Sequence, residues 1–136
     1  MDKDYEKLAD IARKASELAY APYSECYVGA CVLCADGKIY TGCNIENASF
    51  SATVCAERAA IFKAVSEGER DFSAIAVAGG KKDSEKGFMP CFVCRQVMTE
   101  FCSENTDIIV ADREGYRVYK FSDLAPFGFS KSDMTD

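Results

Sequence analysis

Apolar residues recur at Leu8, Ile11, Ala12, Ala15, Leu18 and Ala19, a spacing that predicts an amphipathic helix over about 4–20, ended by Pro22. After a turn at Ala21-Pro22-Tyr23-Ser24 the pattern changes. Cys26 to Ala35 is almost wholly apolar, as a central strand covered on both faces requires. Asp36-Gly37 predicts a hairpin that returns through a second strand over about 38–43. The polar stretch from Asn44 to Thr53 predicts a non-repetitive loop. Ala56, Ala59, Ala60, Ile61, Phe62, Ala64 and Val65 then predict a helix over about 54–67, with Gly68 as its terminator.

Ser73 to Ala78 reads as a short buried strand and Gly79 to Met89 as a solvated loop. Pro90 suits the first position of a helix whose apolar face, Val93, Val97, Met98 and Phe101, runs to about Cys102. Asp107 to Ala111 and Tyr116 to Phe121 predict a last strand pair around Asp112-Arg113-Glu114-Gly115. Strands alternating with helices imply a sheet with helices on its faces. The expected organisation is one domain over 1–136, with a polar tail from about 127 to 136.

Composition narrows the partners. With 49% hydrophobic and 28% charged residues, the 136-residue chain has the balance of a packed globular protein. Its charged N-terminus lacks the apolar run of a signal peptide, and no later run is long enough to span a bilayer; a cytoplasmic location is expected. A net charge of −6 argues against a nucleic-acid partner and for a small molecule. Eight cysteines in an intracellular chain are expected to be reduced. Cys26, Cys31, Cys34, Cys43 and Cys102 have apolar neighbours and read mostly as core.

The other three cysteines fall in two motifs, Cys55-Ala56-Glu57-Arg58 and Pro90-Cys91-Phe92-Val93-Cys94-Arg95-Gln96. Both lie at predicted helix N-termini, where the macrodipole favours a thiolate, and a right-handed crossover would set the two helices side by side. Three thiolates on zinc leave the fourth tetrahedral position open, the pattern of a catalytic site whose bound water is acidified. Such a unit carries a net −1, so a guanidinium bonded to the sulfurs would restore the metal's pull on water. Arg58 is the first candidate; Arg95 is the second, with a surface ion pair as its alternative. Glu57, two residues from a ligand, can serve as a proton shuttle without coordinating. An isolated Cys-x-Glu is more often a solvent-exposed glutamate, but the second motif reverses that balance. A closed structural site with Cys43 or Cys102 as fourth ligand is disfavoured because Cys-x-x-Cys occurs once. A thioredoxin-like reading leaves Cys55-Ala56-Glu57 unexplained.

With Ala21-Pro22-Tyr23-Ser24, Val28-Gly29-Ala30, Gly42-Cys43-Asn44-Ile45-Glu46-Asn47-Ala48 and Pro126-x-x-Phe129, these motifs resemble the cytidine deaminases in their small, homotetrameric, three-cysteine form. The zinc deaminase signature, with a Cys₃ variant and a non-ligand glutamate, is a known pattern. The resemblance covers nearly the whole chain. It implies a three-layer α/β/α fold with a mixed five-stranded sheet and one zinc ion per subunit on Cys55, Cys91 and Cys94. It also implies hydrolytic deamination of free cytidine and deoxycytidine in pyrimidine salvage. Zinc-bound hydroxide would attack the base carbon with Glu57 as shuttle. Asn44 and Glu46 match the residues that hold the ribose hydroxyls, the backbone near Ala56 and Cys91 helps position the base, and Phe129 matches an aromatic that reaches a neighbouring subunit's site.

The chain departs from the family pattern at three places. Cys26 stands where an aromatic is usual, Phe92 replaces a glycine between the paired cysteines, and Phe50 replaces a tyrosine. Phe92 is expected to supply aromatic area that the pocket loses at Cys26. The rival readings are a deaminase of another amino-heterocycle such as a blasticidin-like nucleoside, a polynucleotide-editing deaminase and a non-enzymatic zinc module. The acidic net charge opposes editing, Asn44 and Glu46 favour an ordinary ribonucleoside, and Glu57 favours an enzyme.

Overall fold

The computed structural model describes residues 4–81 and 87–135. Helix α1, Tyr5–Ser16, starts where the Asp4 carboxylate accepts from Lys7 N, and it buries Leu8, Ala9 and Ala12. It ends before the predicted 4–20 limit. Residues 17–19 continue only as tight turns, and Tyr20 then bonds across to Asn44 and Glu46 through N–H and C=O. Leu18 is left exposed, so tertiary pairing overrides the helical spacing there.

Strand β1, Cys26–Cys34, is buried from Val28 onward, and its apolar run does mark a central strand. The Asp36-Gly37 turn, with Gly37 at φ 91, leads to β2, Ile39–Cys43, antiparallel to β1. Helix α2, Ala56–Ser66, follows a 3₁₀ turn at Phe50–Ala52 and stops before Gly68 at φ 100. Strand β3, Phe72–Lys81, lies antiparallel to β1 and parallel to β4, Asp107–Ala111; β5, Tyr116–Lys120, closes antiparallel to β4. Helix α3, Phe92–Phe101, stands between the parallel strands, and α4, Phe121–Leu124, follows β5. The sheet order is β2-β1-β3-β4-β5, a mixed five-stranded sheet.

Alternate strand residues divide into two cores. Val28, Ala30, Val32, Ile75, Val77, Ile108 and Val110 pack with Ala60, Ile61 and Ala64 of α2, Met98 of α3 and Leu124 of α4. Cys31, Leu33, Ala74, Ala76, Ala78, Ile109 and Ala111 pack under α1. Period-two alternation on strands covered from both sides produces the three layers.

Further boundaries differ from the sequence pattern. β3 continues through Gly79 and Gly80 to Lys81, where the sequence predicts a loop, because these residues pair with Tyr27, Val28 and Cys26. A Cβ at Gly79 would stand 2.1 Å from Tyr27 O, so glycine here permits close strand approach. Residues 82–86 of the predicted loop lie outside the described residues. Pro90 precedes the helix cap, and Cys91 caps α3. Phe121 opens α4 instead of ending β5, and the C-terminal stretch includes a 3₁₀ turn at Lys131–Met134.

Two glycines set helices flush against the sheet. A Cβ at Gly42 would stand 2.4 Å from Ala60 N and 2.8 Å from Ala56 O of α2; one at Gly29 would stand 2.1 Å from Ala12 O of α1. Gly42→Ala and Gly29→Ala are each expected to cost about 1–3 kcal/mol through overpacking, read as a lower urea midpoint at unchanged slope. Only Gly42→Ala should also weaken retention of the expected zinc, since Cys55 is the N-cap of α2 and Glu57 lies in its first turn. Equal retention in both variants would contradict that link.

Candidate metal centre

Cys55 and Cys91 are the N-cap residues of α2 and α3, with extended backbones at φ −77, ψ 157 and φ −69, ψ 166. Neither thiol makes a capping hydrogen bond, so both sulfurs are free to face a common point. Cys94 adds a third from the first turn of α3 and is fully buried. The three sulfurs lie within 4.8 Å of one another. Two sulfurs on one tetrahedral zinc, each bonded at ~2.3 Å, stand about 3.8 Å apart. Cys55 Sγ and Cys91 Sγ are 3.8 Å apart, a spacing that fits a shared zinc and is far too long for a disulfide.

Charge around these sulfurs is shared. The Cys55 thiol is pushed down, first by a hydrogen bond from Cys94 and then by Arg58, while the same bond and burial push Cys94 up. Arg58 Nη2 donates to Cys55 Sγ at 3.4 Å, and among the described residues its buried Nε has no hydrogen-bond partner. Glu57 is 2% exposed and lies against Cys94; burial pushes its carboxyl up to about 7. Ala56, between Cys55 and Glu57, is fully buried.

Arg95 does not join Arg58. Its Nε donates to Pro90 O and its Nη1 to Leu124 O, each at 2.9 Å, and its guanidinium lies 4.4 Å over the Phe92 ring. These contacts tie the start of α3 to the end of α4, and no sulfur or carboxylate is among them. Phe92 is 77% exposed. Among the remaining cysteines, Cys31 and Cys34 are buried and Cys26, Cys43 and Cys102 partly so. Burial pushes Cys31, Cys34 and Cys102 up to about 12, the behaviour of inert core thiols.

Asn44 and Glu46 are fixed by the segment that precedes and opens β1. Asn44 is buried; its Oδ1 accepts from Val28 N and its Nδ2 donates to Cys26 O, both at 2.8 Å. Glu46 Oε1 accepts from Tyr23 N at 2.9 Å and Ser24 N at 3.1 Å, while Oε2 accepts from Ser24 Oγ. The Ser24 hydroxyl is the main reason its carboxyl lies below the usual range. Tyr23, Ser24, Glu46, Phe50 and Thr53 line a cleft of about 320 Å³, and the Tyr23 and Phe50 rings meet edge to face at 6.1 Å. Of the three departures from the family pattern, Phe50 lines this cleft; Cys26 and Phe92 do not. Phe129 is 57% exposed, and its carbonyl accepts from Gln96 Nε2 at 2.8 Å. Sequence reasoning gives Tyr23 and Ser24 no task. The one available signal is their presence in a family-like stretch.

The sequence model for the cytidine and deoxycytidylate deaminase zinc-binding region matches residues 2–110. A cytidine deaminase of Sporosarcina psychrophila is 47% identical over 133 residues, covering 97% of this chain and 96% of that protein. One from Halalkalibacterium halodurans is 45% identical over 134 residues, covering 98% and 99%. The crystal structure of cytidine deaminase from Burkholderia pseudomallei superposes with a TM-score of 0.84 at 41% identity, over 90% of this chain and 97% of that one. That of the Mycobacterium tuberculosis cytidine deaminase gives 0.78 at 34%, over 94% and 98%. With this likeness running along both sequence and fold, and a three-sulfur cluster of zinc dimensions inside the matched region, the chain belongs to the cytidine and deoxycytidylate deaminase zinc-binding family.

Proposed function

We propose that this chain hydrolyses free cytidine and deoxycytidine to uridine and deoxyuridine, releasing ammonia, in pyrimidine salvage in the cytoplasm. The observation that carries this reading is a buried carboxyl, Glu57, outside a cluster of three sulfurs spaced for one zinc. Cys55, Cys91 and Cys94 would hold the ion. Zinc there acidifies water and so supplies a nucleophile near neutral pH.

The chain's own groups do the rest. Glu57 takes a proton from the attacking water and gives it to the ring nitrogen. It then takes the second proton from the hydroxyl so formed on the base carbon and gives it to the amine, which leaves as ammonia as the carbonyl forms. Burial raises this carboxyl and so favours the protonated form that gives a proton. Arg58 offsets part of the negative charge of three thiolates through its bond to Cys55. Glu46, ionised, accepts from a sugar hydroxyl; Asn44 retains one N–H and one lone pair after its two bonds to β1. The backbone at Ala56 helps seat the base. Phe129 is exposed and would reach the site of a neighbouring subunit in a homotetramer. No helix among the described residues is long and apolar enough to cross a membrane.

Zinc-loaded protein should change the ultraviolet spectrum of cytidine and deoxycytidine. Turnover of a blasticidin-like nucleoside in their place would redirect the substrate assignment. Glu57→Gln should keep its zinc and lose about 10²–10⁴-fold in kcat; loss of the metal instead would contradict a shuttle that is not a ligand.

Metal analysis gives a separate check. The unaltered chain should retain one zinc, Cys94→Ser should lose most of it on dialysis against a mild chelator, and Cys102→Ser should keep it. Full retention in Cys94→Ser would remove that residue from the ligand set.

A further inference from the structure

We propose that Ser24 is a positioning residue that aims Glu46 at one ligand hydroxyl, and so sets the preference for a hydroxylated sugar. The inference rests on the proposed nucleoside site and adds to it a residue with no assigned role.

An ionised carboxylate offers about four lone-pair directions. On Glu46 three are taken: Oε1 receives the Tyr23 and Ser24 amides, and Oε2 receives the Ser24 hydroxyl. One acceptor direction remains, on Oε2, the oxygen bonded to Ser24. Its aim depends on Ser24, because two backbone amides on the other oxygen leave the carboxylate able to pivot about Oε1.

The hydroxyl itself has little freedom. Its oxygen accepts from Cys26 N at 3.0 Å, so its proton is committed to Glu46. Cys26 O in turn accepts from Asn44 Nδ2 at 2.8 Å. Asn44 and Ser24, the partner of Glu46, are thus both anchored to the backbone of Cys26, one at its carbonyl and the other at its N–H.

The turn that supplies these donors is strained. Glu25, a non-glycine residue, sits at φ 59, and its N–H closes the turn on Ala21 O at 3.1 Å. Strain of this kind persists where surrounding bonds over-determine it and concentrates at ligand sites. Tyr23, Ser24 and Glu46 all line the cleft of about 320 Å³.

The test compares zinc-loaded wild type, Ser24→Ala and Ser24→Thr on cytidine and on dideoxycytidine, which lacks the ring hydroxyls. Ser24→Ala should lose roughly tenfold in kcat/KM for cytidine, mainly through KM, with dideoxycytidine turnover unchanged. Ser24→Thr, which keeps the hydroxyl, should restore cytidine. An equal loss on both substrates, or none on cytidine, overturns the proposal. A carboxyl-carbon NMR titration of Glu46 decides the positioning independently of turnover. Its pKa should rise toward an ordinary glutamate in Ser24→Ala and stay low in Ser24→Thr; an unmoved value also overturns the proposal. Failure of wild type to turn over any cytidine, with the Glu46 shift intact, would count against the nucleoside reading alone.

Discussion

The site depends on how closely α2 lies on the sheet. Three sulfurs drawn from two helices meet within 4.8 Å only if both helix N-termini converge, and Cys55 and Cys91 are the cap residues themselves. Gly42 makes this possible for α2 by letting strand backbone touch helix backbone where any Cβ would collide with Ala60 N. The metal centre is thus built on rigid elements, and its geometry is inherited from packing in a core that includes Ala56, Ala60 and Ala64. A small side chain at each of these α2 positions is part of the same requirement.

Where burial on two faces dominates, sequence and structure agree closely. The apolar run of β1 and the alanine-rich face of α2 need no knowledge of distant partners to be read. Disagreement comes where a long-range backbone pairing wins over local preference. Leu18 and Ala19 keep the helical spacing, yet Tyr20 is taken by Asn44 and Glu46, and the helix stops. Gly79 and Gly80 look like loop residues because their lack of side chain is visible in sequence, while the cause, the nearby β1 backbone, is not.

The same division runs through the site. Cys55, Glu57, Cys91 and Cys94 declare themselves by residue type and spacing, since few other arrangements use three thiols and a free carboxylate. Arg95 illustrates what spacing cannot reveal: its partners are the carbonyls of Pro90 and Leu124, and a carbonyl has no sequence signature. Ser24 is hidden for a related reason. A serine after a proline reads as a turn residue, and only the fold brings its hydroxyl to a carboxylate far along the chain.

Electrostatics differ between the metal centre and the Glu46 cleft. The metal centre gathers thiolates and Glu57, and the positive charge set against them comes from Arg58 and two helix N-termini. In the cleft lined by Tyr23 and Phe50, Glu46 is held by donors that are neutral, so its charge is stabilised without being cancelled. In a chain of net charge −6, a phosphorylated ligand entering this cleft would meet an uncancelled carboxylate with no cation bonded to it among the described residues. A neutral ligand that donates a hydroxyl meets the same carboxylate as an acceptor. The polarity that would repel a nucleotide is therefore the polarity that would bind a free nucleoside.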